Sequence, residues 1–396
     1  MTRGTAFHPR TSSMNERLAW EDWWGYAAAS AFGDAVDIEY NAVREAAGAI
    51  DVSPLFKYVV QGPDAARLVD RVITRNAAKL QVGQVFYTPW CDERGKMIDD
   101  GTVARLDETS FRWTAAEPNY RWIQMNAGGL EVHVEDVSAE VAALALQGPT
   151  SRAILEAATD EDWASLRYFH RRPATLAGIA VDVTRTGYTG DLGYELWVDA
   201  NRAVDLWDAL FRVGADFGLR PVGMSALDVL RVEAGLILLD AEFTGVRNAF
   251  SAEQEYSPFE LGLGRLVDLG KDRFVGKKAL LAEQAAGGLP RSLVGMEHDW
   301  RGVEAAFARH GLPTVLILGT SREPAPVYGQ AGRVGKATST TWSPTLKKVI
   351  SLGLVEKSHA APGSGVEIEW TIEGTRERVE AVVVELPFFD PPRKRA

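Results

Sequence analysis

The stretch Thr184-Arg-Thr-Gly-Tyr-Thr-Gly-Asp-Leu-Gly-Tyr-Glu-Leu-Trp-Val198 decides how the chain is read. Gly187, Gly190 and Gly193 recur at a spacing of three. Glycines accept positive φ and let a backbone come close to a ligand. β-Branched and aromatic residues flank them, so residues 178–198 read as a hairpin. Tyr188 and Tyr194 offer flat surfaces to an aromatic ring, and Glu195 stands just beyond on the return strand. A carboxylate can accept two parallel N–H bonds from a 2-amino-pyrimidinone edge, as it does from a guanidinium. A plain tight turn would use the same glycines.

Working outward, residues 83–103 form a second candidate hairpin, turning at Asp92-Glu-Arg-Gly95. It contains Asp99 and Asp100 among apolar strand residues (Met97, Ile98, Val103). Buried carboxylates are costly unless paired. Consecutive strand side chains face opposite ways, so one Asp should point inward and the other out. An inward carboxyl in a partly dry pocket has its pKa raised and can handle protons near neutral pH. The competing reading is a turn cluster capping Gly101. A third run, Lys336-Ala-Thr-Ser-Thr-Thr-Trp-Ser-Pro-Thr-Leu-Lys-Lys348, reads as a solvated turn or as a segment closing over an anion.

Elsewhere the pattern predicts a loose leader over residues 1–25 and a helix over 38–48 with Gly48 as its C-cap. Further helices are expected at 62–72, from Tyr120, over 203–217, over 224–235 and over 277–283. Gln61-Gly-Pro63 and Gln147-Gly-Pro149 both mark strand-to-helix junctions, which suggests two related units. Residues 284–291 have the composition of a linker, followed by short strands to residue 386 and a disordered tail from Pro391.

A chain of 396 residues is too long for one ordinary core, so two or three domains are expected. Its net charge of −11 argues against nucleic acid as a partner. The single Cys91 excludes an internal disulfide and a multi-cysteine metal cluster. With no apolar run of signal or spanning length, the expectation is a cytoplasmic protein without a membrane partner. His8, His133, His170, His298, His310 and His359 are scattered without metal-ligand spacing, so no metal is expected. Phe274-Val-Gly-Lys-Lys278 lacks the first Gly and the Ser or Thr of a phosphate loop, and Gly262-Leu-Gly264 has no third Gly.

In their shared order, these pieces resemble the aminomethyltransferase family, whose archetype is the T-protein of glycine cleavage. The carriers are Ile50-Asp-Val-Ser53, Gly62-Pro-Asp64, Gly95-Lys-Met-Ile-Asp-Asp100, Leu146-Gln-Gly-Pro149 and Arg185-Thr-Gly-Tyr-Thr-Gly190 with Gly193-Tyr-Glu195. Leu230-Arg-Val-Glu-Ala-Gly235, Phe274-Val-Gly-Lys-Lys-Ala-Leu280 and the run ending at Lys348 complete the series. The resemblance implies an α+β fold: a three-subdomain cloverleaf with a C-terminal all-β, barrel-like domain. Residues 1–285 would form two related, interleaved subdomains, 290–390 the barrel and 391–396 a tail. It implies tetrahydrofolate in the central opening, Asp100 as the catalytic carboxylate, and Glu195, Tyr188, Asp99, Tyr194, Arg231 and Tyr87 as cofactor-binding residues.

The chain also departs from the archetype. Leu227 and Ala361 stand where the family has arginines that bind folate or its tail, and Pro54-Leu-Phe-Lys57 replaces His-Met-Gly. The 244–257 loop is longer. These departures favour a folate-dependent transferase that takes a methyl or methylene group from a small N- or O-methylated donor, in the manner of a demethylase. The alternatives are a glycine-cleavage aminomethyltransferase partnered by a lipoyl carrier protein, and a folate-binding protein without catalysis.

Overall fold

The structure is a computed structural model that describes residues 2–33, 35–287, 290–316 and 319–396. It is an α+β assembly of two large sheets with their helices, a small N-terminal sheet and a C-terminal barrel.

The first sheet orders its strands Arg171–Leu176, Ile179–Thr184, Gly193–Asp199, Val141–Gln147, Ala47–Asp51 and Leu219–Pro221. Helices pack on both faces of its centre, so its middle strands bury apolar residues on both sides. One face packs on helices Ser151–Ala158 and Ala203–Gly214 through Ile154, Leu206, Trp207 and Leu210. The other packs on Val36–Glu45 and Met224–Glu233 through Tyr40, Val43, Ala226 and Leu230. Each fully buried leucine contributes about 2 kcal/mol relative to exposure.

After Ala47–Asp51 the chain leaves this sheet, builds a second and returns at Val141–Gln147. The second sheet orders Val85–Cys91, Met97–Arg105, Ser110–Ala115, Phe56–Gln61 and His133–Asp136. The two Gln-Gly-Pro junctions adopt the same geometry. Gly62 and Gly148 have φ of 135° and 123°. A Cβ would lie 2.7 Å from the Glu131 carbonyl at the first and 2.5 Å from the Ala46 carbonyl at the second. No other residue fits either turn without strain.

The C-terminal barrel closes through six strands: Gly332–Ser343, Ala325–Gly329, Gly365–Ile372, Thr375–Val384, Arg291–His298 and Lys348–Glu356, the last pairing back to the first. It is not purely β. Helix Trp300–Arg309, N-capped by Asp299, packs Val303 and Ala306 onto Ile372 and Val379. The expected linker at 284–291 begins inside a helix that runs to Ala285, and residues 288 and 289 lie outside the described residues.

Four further expectations are corrected. Residues 3–31 are ordered as a three-stranded sheet and helix His8–Met14, with Phe7 buried in the core beside Trp207. The 38–48 helix ends at Glu45, and Gly48 lies on a strand, where Val222 and Val43 leave no room for a Cβ. Lys336–Ser343 is barrel strand rather than a solvated turn, with Thr338, Ser339, Thr341 and Ser343 buried. The tail is docked: Arg393 makes two bonds to Asp191 at 2.7 and 2.8 Å, and the Ala396 carbonyl accepts from Arg152 at 2.6 Å and from Arg185. Among the described residues no helix is long and apolar enough to cross a membrane.

Candidate functional site

Strand Met97–Arg105 carries the acid pair. It runs on through Gly101 to Arg105, which rules out a turn cluster, and a Cβ at Gly101 would sit 2.0 Å from the Thr114 carbonyl. Strand alternation separates the two carboxyls. Asp99 is fully buried and accepts three N–H bonds: from Asp100 at 2.7 Å, Glu117 at 3.0 Å and the Asn119 side chain at 2.7 Å. Asp100 is half-buried, with the Tyr87 hydroxyl as its polar neighbour. Burial and the adjacent Asp100 charge hold Asp99 well above the usual carboxylate range. Burial pushes Asp100 up to about 6, a rise the Tyr87 hydroxyl opposes.

The second carboxylate sits on the other sheet. Glu195 alternates with Tyr194 on strand Gly193–Asp199, so the two point to opposite faces. Tyr194, Leu196 and Val198 enter one core, while Glu195 shares the side of Trp197. Glu195 Oε2 accepts from Thr186 at 2.6 Å and from Thr184 at 3.4 Å, and Oε1 has no hydrogen-bond partner among the described residues. Burial raises its pKa, opposed by those hydroxyls and by Arg112. Arg112 comes from the second sheet. Its guanidinium lies 4.2 Å over the Trp197 ring and pairs with Asp182 at 2.6 Å.

Tyr87 and Tyr188 join these carboxyls. Both rings are half-buried, and the Tyr188 hydroxyl donates to the Ile237 carbonyl at 2.5 Å. Burial raises both phenols, and the negative charge of Asp100 adds to the rise in each. Tyr87 and Asp100 lie on paired strands of the second sheet, and Tyr188 stands on the loop that precedes strand Gly193–Asp199 of the first.

Three of the expected cofactor contacts stand elsewhere. Tyr194 is fully buried against Trp163, with a ring-centroid separation of 6.2 Å, and presents no face to a ligand. Arg231 is also fully buried, bonded to Asp228 at 2.6 Å, Glu242 at 2.5 Å and Ser339 at 2.7 Å. Its guanidinium is spent on clamping the helix to the barrel. Asp99 is saturated by its three donors, so its place is behind Asp100, holding that strand against Asn119 and Glu117.

The glycines of the 184–198 hairpin also serve a different purpose from the one expected. A Cβ would fall 2.0 Å from Gln147 Oε1 at Gly187 and 2.3 Å from the Gln147 amide carbon at Gly193. The Gln147 side chain threads this space, donating to the carbonyls of Thr186 at 3.2 Å and Tyr194 at 3.1 Å and accepting from Thr189 at 2.9 Å. The close approach is to a side chain of the neighbouring strand, which stiffens the loop that carries Tyr188 and Thr186.

Arg112 and Asn119 went unnoticed in the sequence, and Gln147 was marked only as part of a strand-to-helix junction. Only Gln147, beside a motif glycine, carried a local signal. The loop over 244–257 packs on the acid strand: the Val246 N–H donates to the Met97 carbonyl at 2.7 Å, and Arg247 and Asn248 reach Glu117. This loop borders the Asp99–Asp100 side of the site.

A buried ionic network fixes the hairpin to the frame. Arg44 bonds Glu233 at 2.5 Å and the Thr189 carbonyl at 2.9 Å, and Asp191 lies 3.3 Å away. Tyr40 and Ser343 each donate to Glu233 at 2.5 Å, which draws the barrel into the same cluster. Removing one partner of such a network costs about 3–5 kcal/mol, because a buried charge is left unpaired.

The chain matches two family models: the GCVT N-terminal domain over residues 6–271, and the glycine cleavage T-protein C-terminal barrel domain over residues 291–390. It is 34% identical over 379 residues to an aminomethyltransferase of Caldanaerobacter subterraneus, covering 94% of this chain and 93% of that one. An aminomethyltransferase of Bacillus cereus is 36% identical over 356 residues, covering 89% of each. Among solved structures, the glycine cleavage system aminomethyltransferase T of Bartonella henselae superposes with a TM-score of 0.83 at 25% identity, over 98% of this chain and 99% of that one. Fold, acid pair and both domain matches agree: the chain belongs to the aminomethyltransferase family of glycine cleavage T-proteins.

Proposed function

We propose that this chain is a tetrahydrofolate-dependent one-carbon transferase, and specifically an aminomethyltransferase. In that reaction the C–N bond and the C–S bond of an aminomethyl group on a lipoyl carrier protein break. The nitrogen leaves as ammonia, the sulfur is left as a thiol, and the methylene passes to tetrahydrofolate. The observation that supports the folate reading is the pairing of Glu195, with its free Oε1, and Asp100, raised to about 6.

Tetrahydrofolate, when bound, supplies the nitrogen nucleophiles that take up the carbon. Glu195 accepts N–H bonds from the 2-amino-pyrimidinone edge. The rings of Tyr87 and Tyr188 pack against the flat ligand. Asp100, poised near the working pH, exchanges a proton at a reacting nitrogen. Asp99 holds Asp100 in place. Orientation of this kind is worth several kcal/mol of the barrier, about 7 or more in favourable cases.

The donor is read from the relatives, two of which are aminomethyltransferases at 34% and 36% identity. A second reading, transfer from a small N- or O-methylated donor, is favoured by one group of observations. Leu227 is buried in an apolar cluster and Ala361 is exposed, so neither supplies the cation expected there. The 244–257 loop also packs on the strand that carries Asp100, through the Met97 backbone. Incubation with tetrahydrofolate and an aminomethylated lipoyl carrier should release ammonia and form methylene-tetrahydrofolate. Turnover of small methylated amines or ethers alone would select the second reading. Folate binding without any turnover would select a non-catalytic protein.

A further inference from the structure

Glu195 and Trp197 share one face of strand Gly193–Asp199. On the neighbouring strand Thr184 stands opposite Glu195, and Asp182 opposite Trp197. A line of hydrogen bonds crosses between the two strands. The Trp197 indole N–H donates to Thr184 Oγ1 at 3.1 Å. Thr184 Oγ1 lies 2.7 Å from Thr186 Oγ1, which donates to Glu195 Oε2 at 2.6 Å. Trp197, Thr184 and Thr186 are all buried, so these groups depend on one another for partners.

The line can run in one direction only. An indole N–H donates and cannot accept. Thr186 spends its proton on Glu195, so the proton between the two threonines comes from Thr184, whose oxygen accepts from Trp197. Three donors in series therefore end on Oε2, and bonds in such a chain strengthen one another. A proton on Oε2 would have to turn both threonines round. Thr184 would then receive from Thr186 and Trp197 together, and its own proton would be left with the Glu195 carbonyl, 3.4 Å away. Arg112 reinforces the direction. Its guanidinium, 4.2 Å over the indole ring, is tethered to Asp182 at 2.6 Å, and Arg171 holds the other Asp182 oxygen at 2.7 Å. A cation on the ring face is attracted to it and, by drawing electron density from the ring, makes the N–H a better donor.

We infer that Trp197 is a positioning residue of the pterin site: through Thr184 and Thr186 it holds Glu195 Oε2 as an acceptor and leaves Oε1 to receive the N–H groups of the 2-amino-pyrimidinone edge. This inference rests on the folate reading above and goes beyond it, because that reading needs Glu195 alone. The charged and titratable groups around Glu195 are Arg112 from the second sheet, Asp182 and Arg171 on the strands beside it, and the Tyr168 phenol, which feels its charge. All four stay in place when the line is cut at Trp197 or Thr184.

The test is calorimetric titration of the full chain with 5-formyltetrahydrofolate across the pH range in which Glu195 takes up a proton. W197F keeps an aromatic ring and removes the N–H, T184V removes the middle hydroxyl and T184S restores it. W197F and T184V are each expected to weaken binding about threefold at neutral pH. The pH at which binding is half lost on the acid side should rise by about 0.5 in both. T184S should match wild type in affinity and in pH profile. W197F/T184V should lose no more than T184V alone, as links in series do, and W197F should add nothing to E195Q. Unchanged affinity and an unchanged acid side in W197F and T184V overturn the role. An equal loss from W197F in the E195Q protein overturns it too, since the indole would then act through packing. Wild-type protein that does not bind the probe, or E195Q that binds it as tightly as wild type, overturns the folate reading itself.

Discussion

Asp100 and Glu195 are two half-buried carboxylates on strands of different sheets, and burial raises both. They differ in what opposes that rise. Glu195 has two threonine hydroxyls on Oε2 and the Arg112 guanidinium nearby, so it is supported as an anion and fixed in direction. Asp100 has one phenol and a second carboxyl behind it, so its proton is held loosely near neutral pH. Donor count thus divides the labour: the well-solvated carboxylate grips, and the poorly solvated one exchanges protons.

The sharpest way to break this comparison is D100N. Turnover is expected to fall about 1,000-fold, while affinity for 5-formyltetrahydrofolate stays within about threefold. Unaltered turnover would take the proton chemistry away from Asp100. The same variant tests stability. The Asp100 carboxyl rises on folding from 3.8 to about 6, so the protonated form stabilises the fold fully below pH about 4 and that contribution is lost as pH rises through about 6. Urea unfolding at pH 4 and pH 7 should show wild type losing up to about 3 kcal/mol relative to D100N. A flat difference would mean that the carboxyl is not held up.

E195Q is expected to weaken pterin binding about 30- to 100-fold, because one N–H acceptor becomes a donor facing donors. kcat at saturating folate should change much less. The smallest effect belongs to T186V, which removes the 2.6 Å hydroxyl from Glu195. A loss of about fivefold in folate affinity is expected, with a rise in the pH at which binding fails on the acid side. No shift on the acid side would mean that Thr186 shapes the loop without holding the charge.

Much of this site was legible in the chain. Asp99 and Asp100 stood out as acids inside an apolar strand, and alternation correctly placed one inside and one half-exposed. Glu195 was marked by its position after the glycines. The same hairpin misled about Tyr194: its ring looked available, yet alternation sends it into the core with Trp163. Arg231 was tied to the cofactor by resemblance alone, and its saturation by Asp228, Glu242 and Ser339 depends on a barrel strand far along the chain. The polar run from Lys336 looked solvated, because nothing in it tells that Glu242 and Glu233 wait to accept from its hydroxyls.

The sequence by itself determined what is local or periodic: strands from alternation, junctions from Gly-Pro pairs, an acid pair on one strand, and a family from the order of its motifs. Tertiary structure alone decided what those residues meet. It filled the space at Gly187 and Gly193 with Gln147, and set Arg112 over Trp197 beside Glu195. These contacts join segments far apart in the chain, and no local pattern records which distant side chain will satisfy a buried charge.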